Sequence, residues 1–161
     1  MSFVIRKFNE SDIRQIVTLF YETIHSVNIQ DYTQEQVEAW APQLSGTEEQ
    51  ERTRRFTESL LGCISYVADI EGVVIGFADM TENGYLDYLY VHKDYQRHGV
   101  ASALLDKLEE EATRLGVRQL WANVSITARP FFEHQGFVMI RRQTVNVRGV
   151  SMYNFKMEKT F

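Results

Sequence analysis

Four consecutive residues near the middle of the chain, Gln96, Arg97, His98 and Gly99, combine hydrogen-bond donors with a glycine just before an amphipathic segment. A helix N-terminus leaves backbone amides unpaired at the positive end of the helix dipole, where a phosphate can bind. Ser, Thr, Asp or Asn would satisfy those amides better than glycine does. The stretch therefore predicts a phosphate-binding turn, or else a strand–helix junction in which glycine only relieves strain, and one glycine does not decide between them.

The elements before this turn follow from hydrophobic periodicity and turn signals. A short strand is predicted first, and three helices follow it, the second opened by the capping box of Thr33 and Gln36. Turn signals at 71–72 and 83–84 then divide a β-branched and aromatic region into three antiparallel strands. The predicted ranges are 3–8 for the first strand, 10–27, 32–40 and 46–62 for the helices, and 63–70, 73–81 and 85–91 for the three strands.

The elements after the turn complete the fold. The sequence predicts a long helix stopped by Gly116, a strand, a short helix and a closing hairpin. Their ranges are 100–115, 117–124, 127–136 and the paired strands 137–147 and 151–159. The order β-αα(α)-βββ-α-β-α-ββ predicts an α+β fold, a mostly antiparallel mixed sheet with helices on both faces. A length of 161 residues fits one domain spanning 1–161.

Composition excludes several classes of function. With 44% hydrophobic and 24% charged residues the chain is predicted to be globular, and a net charge of -5 argues against nucleic acid as the main partner. The one cysteine, Cys63, allows no internal disulfide and is predicted to be a core residue rather than a nucleophile. The sequence predicts no signal peptide and no membrane span, so we expect a cytoplasmic protein without membrane partners. The histidines lack metal-ligand spacing, and no metal site is predicted.

Several motifs together resemble one family. The stretch Gln96–Ala101 resembles the Gln/Arg-x-x-Gly-x-Gly/Ala pyrophosphate loop of the GNAT superfamily, the acyl-CoA-dependent N-acyltransferases, and Leu86–Val91 is similar to its fourth strand. Ser125–Ala128 and Phe132–Phe137 are similar to its Asn-x-x-Ala and Tyr-Glu-x-x-Gly-Phe segments. The order of elements agrees over essentially the whole chain, and the variant motifs resemble the YafP-type branch of bacterial acetyltransferases. The resemblance implies an N-acetyltransferase that uses acetyl-CoA as co-substrate.

The resemblance also implies how acetyl-CoA is held. Residues 97–101 would bind its pyrophosphate through backbone amides, and the fourth strand would splay from the fifth to pair with the pantetheine arm. The Leu89 amide would then stabilise the oxyanion that develops during acyl transfer. The implied contacts are Leu89, Tyr90, Val91, Gln96, Arg97, His98, Gly99, Val100, Ala101, Ser102, Ser125 and Phe132.

Two of these positions depart from the family pattern. Phe132 stands where many relatives have a tyrosine that protonates the departing CoA thiolate, and phenylalanine cannot donate a proton. Ser125 replaces the usual asparagine with a shorter group that still donates a hydrogen bond. The general acid is therefore not identified by the sequence.

A general base is needed, because a protonated amine has no lone pair with which to attack a thioester. In the superfamily the base often lies at positions matching Tyr85 or Asp87, and period-two alternation predicts both on one strand face with Leu89. Asp87 is the candidate base, acting directly or through water, and Tyr85 would shape the pocket or relay a proton. The structural alternative for Asp87 is an ion pair with Arg129 or Arg148.

The acceptor is less well defined. His25, Tyr32 and Trp40 belong to the helical arm that roofs the acceptor site in the superfamily, where they would select an apolar or aromatic small-molecule amine. Packing of a short helix onto the sheet is the alternative role for Tyr32 and Trp40. Acetylation of a protein N-terminus or lysine, and a CoA-binding sensor without turnover, also remain open, the latter because of Phe132. Both a monomer and a homodimer are compatible with the sequence.

Overall fold

The computed structural model describes residues 2–161, in which seven strands form one sheet. The strands are Val4–Lys7 (β1), Ile64–Ile70 (β2), Val73–Met80 (β3), Tyr85–Val91 (β4), Gln119–Ser125 (β5), Val138–Val147 (β6) and Val150–Thr160 (β7). Their order in the sheet is β1-β2-β3-β4-β5-β7-β6. Every neighbouring pair is antiparallel except β4 and β5, which are parallel.

Five α-helices cover the two faces of this sheet. They are Ile13–Ser26 (α1), Gln34–Trp40 (α2), Gly46–Leu61 (α3), Val100–Arg114 (α4) and Arg129–His134 (α5). Helices α1, α2 and α3 bury apolar side chains in one core on one face, and α4 and α5 bury theirs in a second core on the other. The predicted α+β class, the order of elements and the mixed sheet are confirmed. None of the helices in the described part of the chain is long and apolar enough to cross a membrane.

Helix α4 forms because its apolar residues recur on one face. Val100, Leu104, Leu108 and Ala112 are each at most 1% exposed and lie four residues apart, so they make a continuous stripe against β3. The helix ends where Gly116 adopts a left-handed conformation at φ 75°. This packing fixes the beginning of α4, and with it the turn that precedes the helix.

The parallel strands β4 and β5 separate soon after they meet. They pair only at Tyr85 with Trp121 and at Leu86 with Ala122. Beyond Leu86, β4 continues to pair with β3 on one side, while no strand within residues 2–161 pairs with its other edge. A wedge-shaped cleft therefore opens between β4 and β5, as the resemblance implied.

Candidate active site

Strand β4 contains a β-bulge at the start of the cleft. Ala78 of β3 pairs with Leu89, and Met80 pairs with Leu86, so β4 carries one residue more than β3 over this interval. A bulge interrupts the alternation of side chains between the two faces of a sheet. At the bulge, the alternation of side chains between the two faces of the sheet therefore shifts by one residue.

The bulge overturns the predicted arrangement of Tyr85, Asp87 and Leu89. Tyr85 lies against Trp121, with ring centroids 4.3 Å apart, and its hydroxyl is 3.4 Å from Asp87 Oδ1, so these side chains share a face. Leu89 instead packs against the core on the α4 side. The prediction that all three share one face is wrong, because the extra residue reverses the alternation after Asp87.

The backbone of Leu89 nevertheless faces the cleft. His92 N donates to Ile75 O at 2.8 Å, and hydrogen-bonded positions alternate along an antiparallel pair. In the observed register this turns the N–H and C=O groups of Leu89 and Val91 away from β3. Val91 O confirms the direction, since it accepts hydrogen bonds from Thr23 Oγ1 at 3.0 Å and Gln96 Nε2 at 2.7 Å.

The side chain of Gln96 donates a hydrogen bond within the protein and so stabilises the loop. Its amide group joins the end of β4, through Val91 O, to the turn that precedes α4. Arg97 and His98 follow it with exposed side chains, and Arg97 adopts a left-handed backbone at φ 61°. The structure thus places the predicted loop residues together, but it gives Gln96 a structural hydrogen bond within the protein.

The N-terminus of α4 carries free amides beside open space. The first hydrogen bond of the helix runs from Ala103 N to Gly99 O at 3.0 Å. Gly99 has a left-handed φ of 80°, and a Cβ atom added there would meet no atom within 4 Å apart from its chain neighbours. Within residues 2–161, the amides of Val100, Ala101 and Ser102 make no hydrogen bond. Such a group of amides at the positive end of a 15-residue helix suits a phosphate.

Asp87 is the first residue of β4 beyond the last pair with β5. Its side chain is exposed in the open cleft, and no salt bridge reaches it within the described residues. The predicted alternative fails, because Arg129 pairs with Glu133 at 3.2 Å and Arg148 donates to a backbone carbonyl. Neighbouring protein still displaces enough water to raise the pKa of Asp87, and the hydrogen bond from Tyr85 opposes this effect.

The buried carboxylate of the region is Asp79, which sequence reasoning missed. It is 0% exposed, and its Oδ1 accepts a 2.7 Å hydrogen bond from Tyr88 N. Its Oδ2 has no hydrogen-bond partner in the part of the chain that the structure describes. Burial raises the pKa of Asp79 to about 7, and the bond from Tyr88 opposes the rise. Like Asp87, Asp79 is an aspartate within an apolar strand sequence, Val73–Met80. The sequence could therefore have indicated it as a candidate for a functional or paired carboxylate.

Cys63 lies near the two carboxylates, in a partly buried position. Burial raises the pKa of its thiol, and the negative charges of Asp79 and Asp87 raise it further. A thiol in this environment stays protonated and is a poor nucleophile. The interpretation of Cys63 as a packing residue agrees with this environment.

Ser125 precedes α5, and Phe132 lies within this helix. Ser125 Oγ accepts a hydrogen bond from Ala128 N at 3.0 Å and so closes the turn before the helix. Phe132 is 4% exposed and packs edge-on against Phe137, with centroids 5.0 Å apart. Because the ring is almost fully buried, no exposed surface of Phe132 supports a contact with the cofactor. That contact stays a prediction from the resemblance. Ser102 joins α4 to α5 through a 3.2 Å hydrogen bond from Gln135.

A cavity of about 850 Å³ lies on the α1–α3 side of β4. Trp40 contributes to its wall, and its role at the acceptor site stays a prediction. Tyr32 has a structural role instead, since its hydroxyl accepts from Ile126 N at 2.9 Å and donates to Tyr153 O at 2.8 Å. His25 Nε2 forms a 2.7 Å hydrogen bond with Ala41 O. Among residues 2–161 no group of three or more His, Cys, Asp or Glu could hold a metal ion.

Comparison with known proteins agrees with this geometry. The model of the acetyltransferase (GNAT) domain matches residues 28–159. The chain belongs to the GNAT family. Its acetyltransferases use acetyl-CoA as acyl donor, so the chain is an acetyl-CoA-dependent acyltransferase, as the pyrophosphate loop and the later motifs predicted.

The relatives agree over nearly the whole chain. The N-acetyltransferase YafP of Escherichia coli (strain K12) is 35% identical over 153 residues, which cover 95% of this chain and 93% of that protein. A GCN5-related N-acetyltransferase from Rhodopseudomonas palustris superposes with a TM-score of 0.91 at 30% identity, covering 100% and 97% of the two chains. The PaiA N-acetyltransferase of Thermoplasma acidophilum, solved with coenzyme A, shares the fold at a TM-score of 0.78, 19% identity and full coverage of both chains.

Proposed function

We propose that this GNAT protein transfers the acetyl group of acetyl-CoA to a primary amine of a small molecule, by direct attack within a ternary complex. The separation of β4 from β5 after Leu86 carries this proposal. It exposes, in chain order, the carboxylate of Asp87, the amides of Leu89 and Val91, and the free amides at the start of α4.

The residues present fit acetyl-CoA, which supplies an activated thioester when bound. The amides of Val100, Ala101 and Ser102 would donate to its phosphates, and open space at Gly99 leaves room for them. The amides of Leu89 and Val91 would donate along the free edge of β4, and Leu89 N–H would stabilise the negative charge that develops on the carbonyl oxygen.

Asp87 would accept the proton of the acceptor's ammonium group, directly or through water. A carboxylate with an ordinary pKa is a weak base toward an ammonium ion, and desolvation of Asp87 by its neighbours strengthens it. Tyr85 shares the face and contacts Asp87, so it would orient the carboxylate or relay the proton. Phe132 offers no proton, so the departing thiolate would be protonated by water or another group.

The cavity favours a small acceptor over a peptide. Phe20, Trp40, Phe56 and Tyr88 form aromatic walls between α1, the end of α2, α3 and β4. These faces suit the apolar body of a small amine, whereas a basic peptide would favour an acidic groove, and this lining has three arginines against two glutamates.

Turnover and binding together test the proposal. Thiol release from acetyl-CoA would be followed with a panel of small amines and with a lysine peptide, and acetyl-CoA binding would be measured by calorimetry. We expect binding, and turnover with small amines that exceeds turnover with the peptide. Binding without turnover would indicate a CoA sensor, and preference for the peptide would indicate a protein acetyltransferase.

A further inference from the structure

Two arginines reach the end of α2 from different elements and line the same cavity. Arg52 on α3 donates Nη1 to Pro42 O at 2.7 Å, and Arg148 in the β6–β7 turn donates Nη1 to Ala39 O at 2.6 Å. The two carbonyls are three residues apart, so both guanidinium groups are anchored at one site. Each contact uses only one of the five N–H donors that a guanidinium carries.

The remaining donors of this pair have no acidic partner. Neither Arg52 nor Arg148 forms a salt bridge within residues 2–161. The other charged groups lining the cavity are Glu48, Glu51 and Arg55, of which Glu51 and Arg55 pair at 3.3 Å. The lining therefore carries a net positive charge, in a protein whose net charge is -5. The Nε of Arg52 is buried, and within the described residues it has no hydrogen-bond partner.

The turn that carries Arg148 does not itself require an arginine. Arg148 has a left-handed φ of 49° beside Gly149 in a two-residue hairpin, a position that favours Asn, Asp or Gly. Its distinctive contribution is therefore the guanidinium that the turn carries to α2 and the cavity.

An aromatic surface leads from this pair to β4. Phe56 and Tyr88 stack with ring centroids 5.1 Å apart, both line the cavity, and Tyr88 directly follows Asp87 in β4. A molecule with its amine at Asp87 would lay an apolar body along these rings and place its far end toward the arginines.

We propose that the acceptor is an amphipathic amine that also carries a carboxylate, and that Arg52 and Arg148 bind this carboxylate. The inference rests on the proposed function and specifies its substrate class. Planar guanidinium groups suit carboxylates because they donate two parallel hydrogen bonds.

A binding experiment tests the proposed carboxylate site independently of catalysis. Calorimetry would compare 3-phenylpropanoate with 3-phenylpropan-1-ol, which share an aromatic body, lack an amine and differ in the anionic group. We expect the carboxylate to bind at least ~10-fold more tightly to the wild type, and this preference to fall in Arg52→Gln and in Arg148→Gln. Arg55→Gln is the matched control, because Arg55 lines the same cavity but is 75% exposed and paired with Glu51, and it should keep the preference.

Arg148→Gln decides the outcome if Arg52→Gln does not fold, since Arg148 lies in an exposed turn. Equal binding of acid and alcohol by the wild type, or an undiminished preference in Arg148→Gln, would overturn the proposal. Turnover would then be compared for 4-(2-aminoethyl)benzoate against phenethylamine and for 4-(aminomethyl)benzoate against benzylamine, because each acid carries its amine and its carboxylate at opposite ends of the ring. Acetylation of the decarboxylated amines as fast as the acids contradicts the anion site but keeps the proposed function. Selective binding of the carboxylate without acetylation of any amine keeps the site and contradicts the function.

Discussion

The carboxylate of Asp79 accepts a 2.7 Å hydrogen bond from the backbone amide of Tyr88 across the bulge between β3 and β4. The bond occupies the amide of the residue that follows Asp87, so a fully buried side chain holds the irregular backbone of the cleft in place. The bulge separates the face of Asp87 from that of Leu89, and the hydrogen bond from Tyr88 N to Asp79 lies within it. We infer that Asp79 is a positioning residue, because it supports β4 without facing the acceptor.

Asp79→Asn should change how stability depends on pH. Burial raises the pKa of Asp79 from its ordinary 3.8 to about 7, so the folded state binds this proton more tightly than the unfolded state. That contribution is complete below pH ~4 and is lost as the pH rises through ~7, at most about 4 kcal/mol. Asparagine keeps an oxygen for Tyr88 N and cannot ionise. We expect the variant to gain stability relative to the wild type at pH 8, measured by urea unfolding, and equal pH profiles would contradict the assignment.

Hydrophobic periodicity predicted the order of elements because α4 and the strands bury regular stripes. The turn at 96–99 was predictable for the same reason, since a strand and an amphipathic helix flank it directly. The faces of Asp87 and Leu89 were not, because a bulge leaves no mark on a period-two pattern. Asp79 could have been noticed, but only the fold shows that its partner is the backbone of Tyr88.

The roles of Tyr32 and Arg148 could not be predicted, because they depend on contacts between residues far apart in the sequence. The hydroxyl of Tyr32 joins residues 94 and 121 positions away, Ile126 and Tyr153, and no local pattern encodes such a bridge. The anchoring of Arg148 at Ala39, 109 positions away, is of the same kind. The alternative role for Asp87, an ion pair with Arg129 or Arg148, is not observed, because Arg129 pairs with Glu133 and Arg148 donates to Ala39 O.

Tyr32→Phe should lower stability without removing apolar packing. The change deletes one hydrogen-bond acceptor for Ile126 N and one donor to Tyr153 O, at a cost of about 1–3 kcal/mol in the free energy of unfolding. Tyr21→Phe is the control, because the hydroxyl of Tyr21 makes no hydrogen bond within residues 2–161. Denaturant unfolding measures both variants, and an equal effect of the two would show that the bridge contributes nothing.

Gly99→Asp should weaken acetyl-CoA binding more than Gly99→Asn does. Both side chains tolerate the left-handed φ of 80° better than most, and neither meets a protein atom near its Cβ. They differ in charge, and an aspartate would repel a phosphate at the amides of α4. We expect at least ~10-fold weaker binding for Asp than for Asn by calorimetry. Equal affinities in two folded variants would place the pyrophosphate elsewhere.

Phe132→Tyr should leave turnover equal or raise it. The added hydroxyl would restore the proton donor that many relatives have at this position, while the ring keeps its edge-on packing against Phe137. Thiol release under saturating acetyl-CoA measures the effect, and circular dichroism checks the fold. A large loss of turnover in a folded variant would show that tight packing of Phe132 matters more than proton donation.

Asp87→Asn tests the central claim, that the cleft between β4 and β5 performs base-assisted acetyl transfer. Asparagine has nearly the same shape and cannot accept the ammonium proton, and general-base help is worth about 10²–10⁴-fold. Because the pKa of Asp87 is raised, the rate of the wild type should increase as the pH rises through that value, and the variant should lack this acidic limb.

The deciding measurement is therefore the pH–rate profile of thiol release for the wild type and Asp87→Asn, with acetyl-CoA affinity measured in parallel. The account predicts a fall in turnover of about 10²–10⁴-fold, no acidic limb and unchanged affinity. A variant that keeps the rate and the pH profile of the wild type would contradict it and place the base elsewhere.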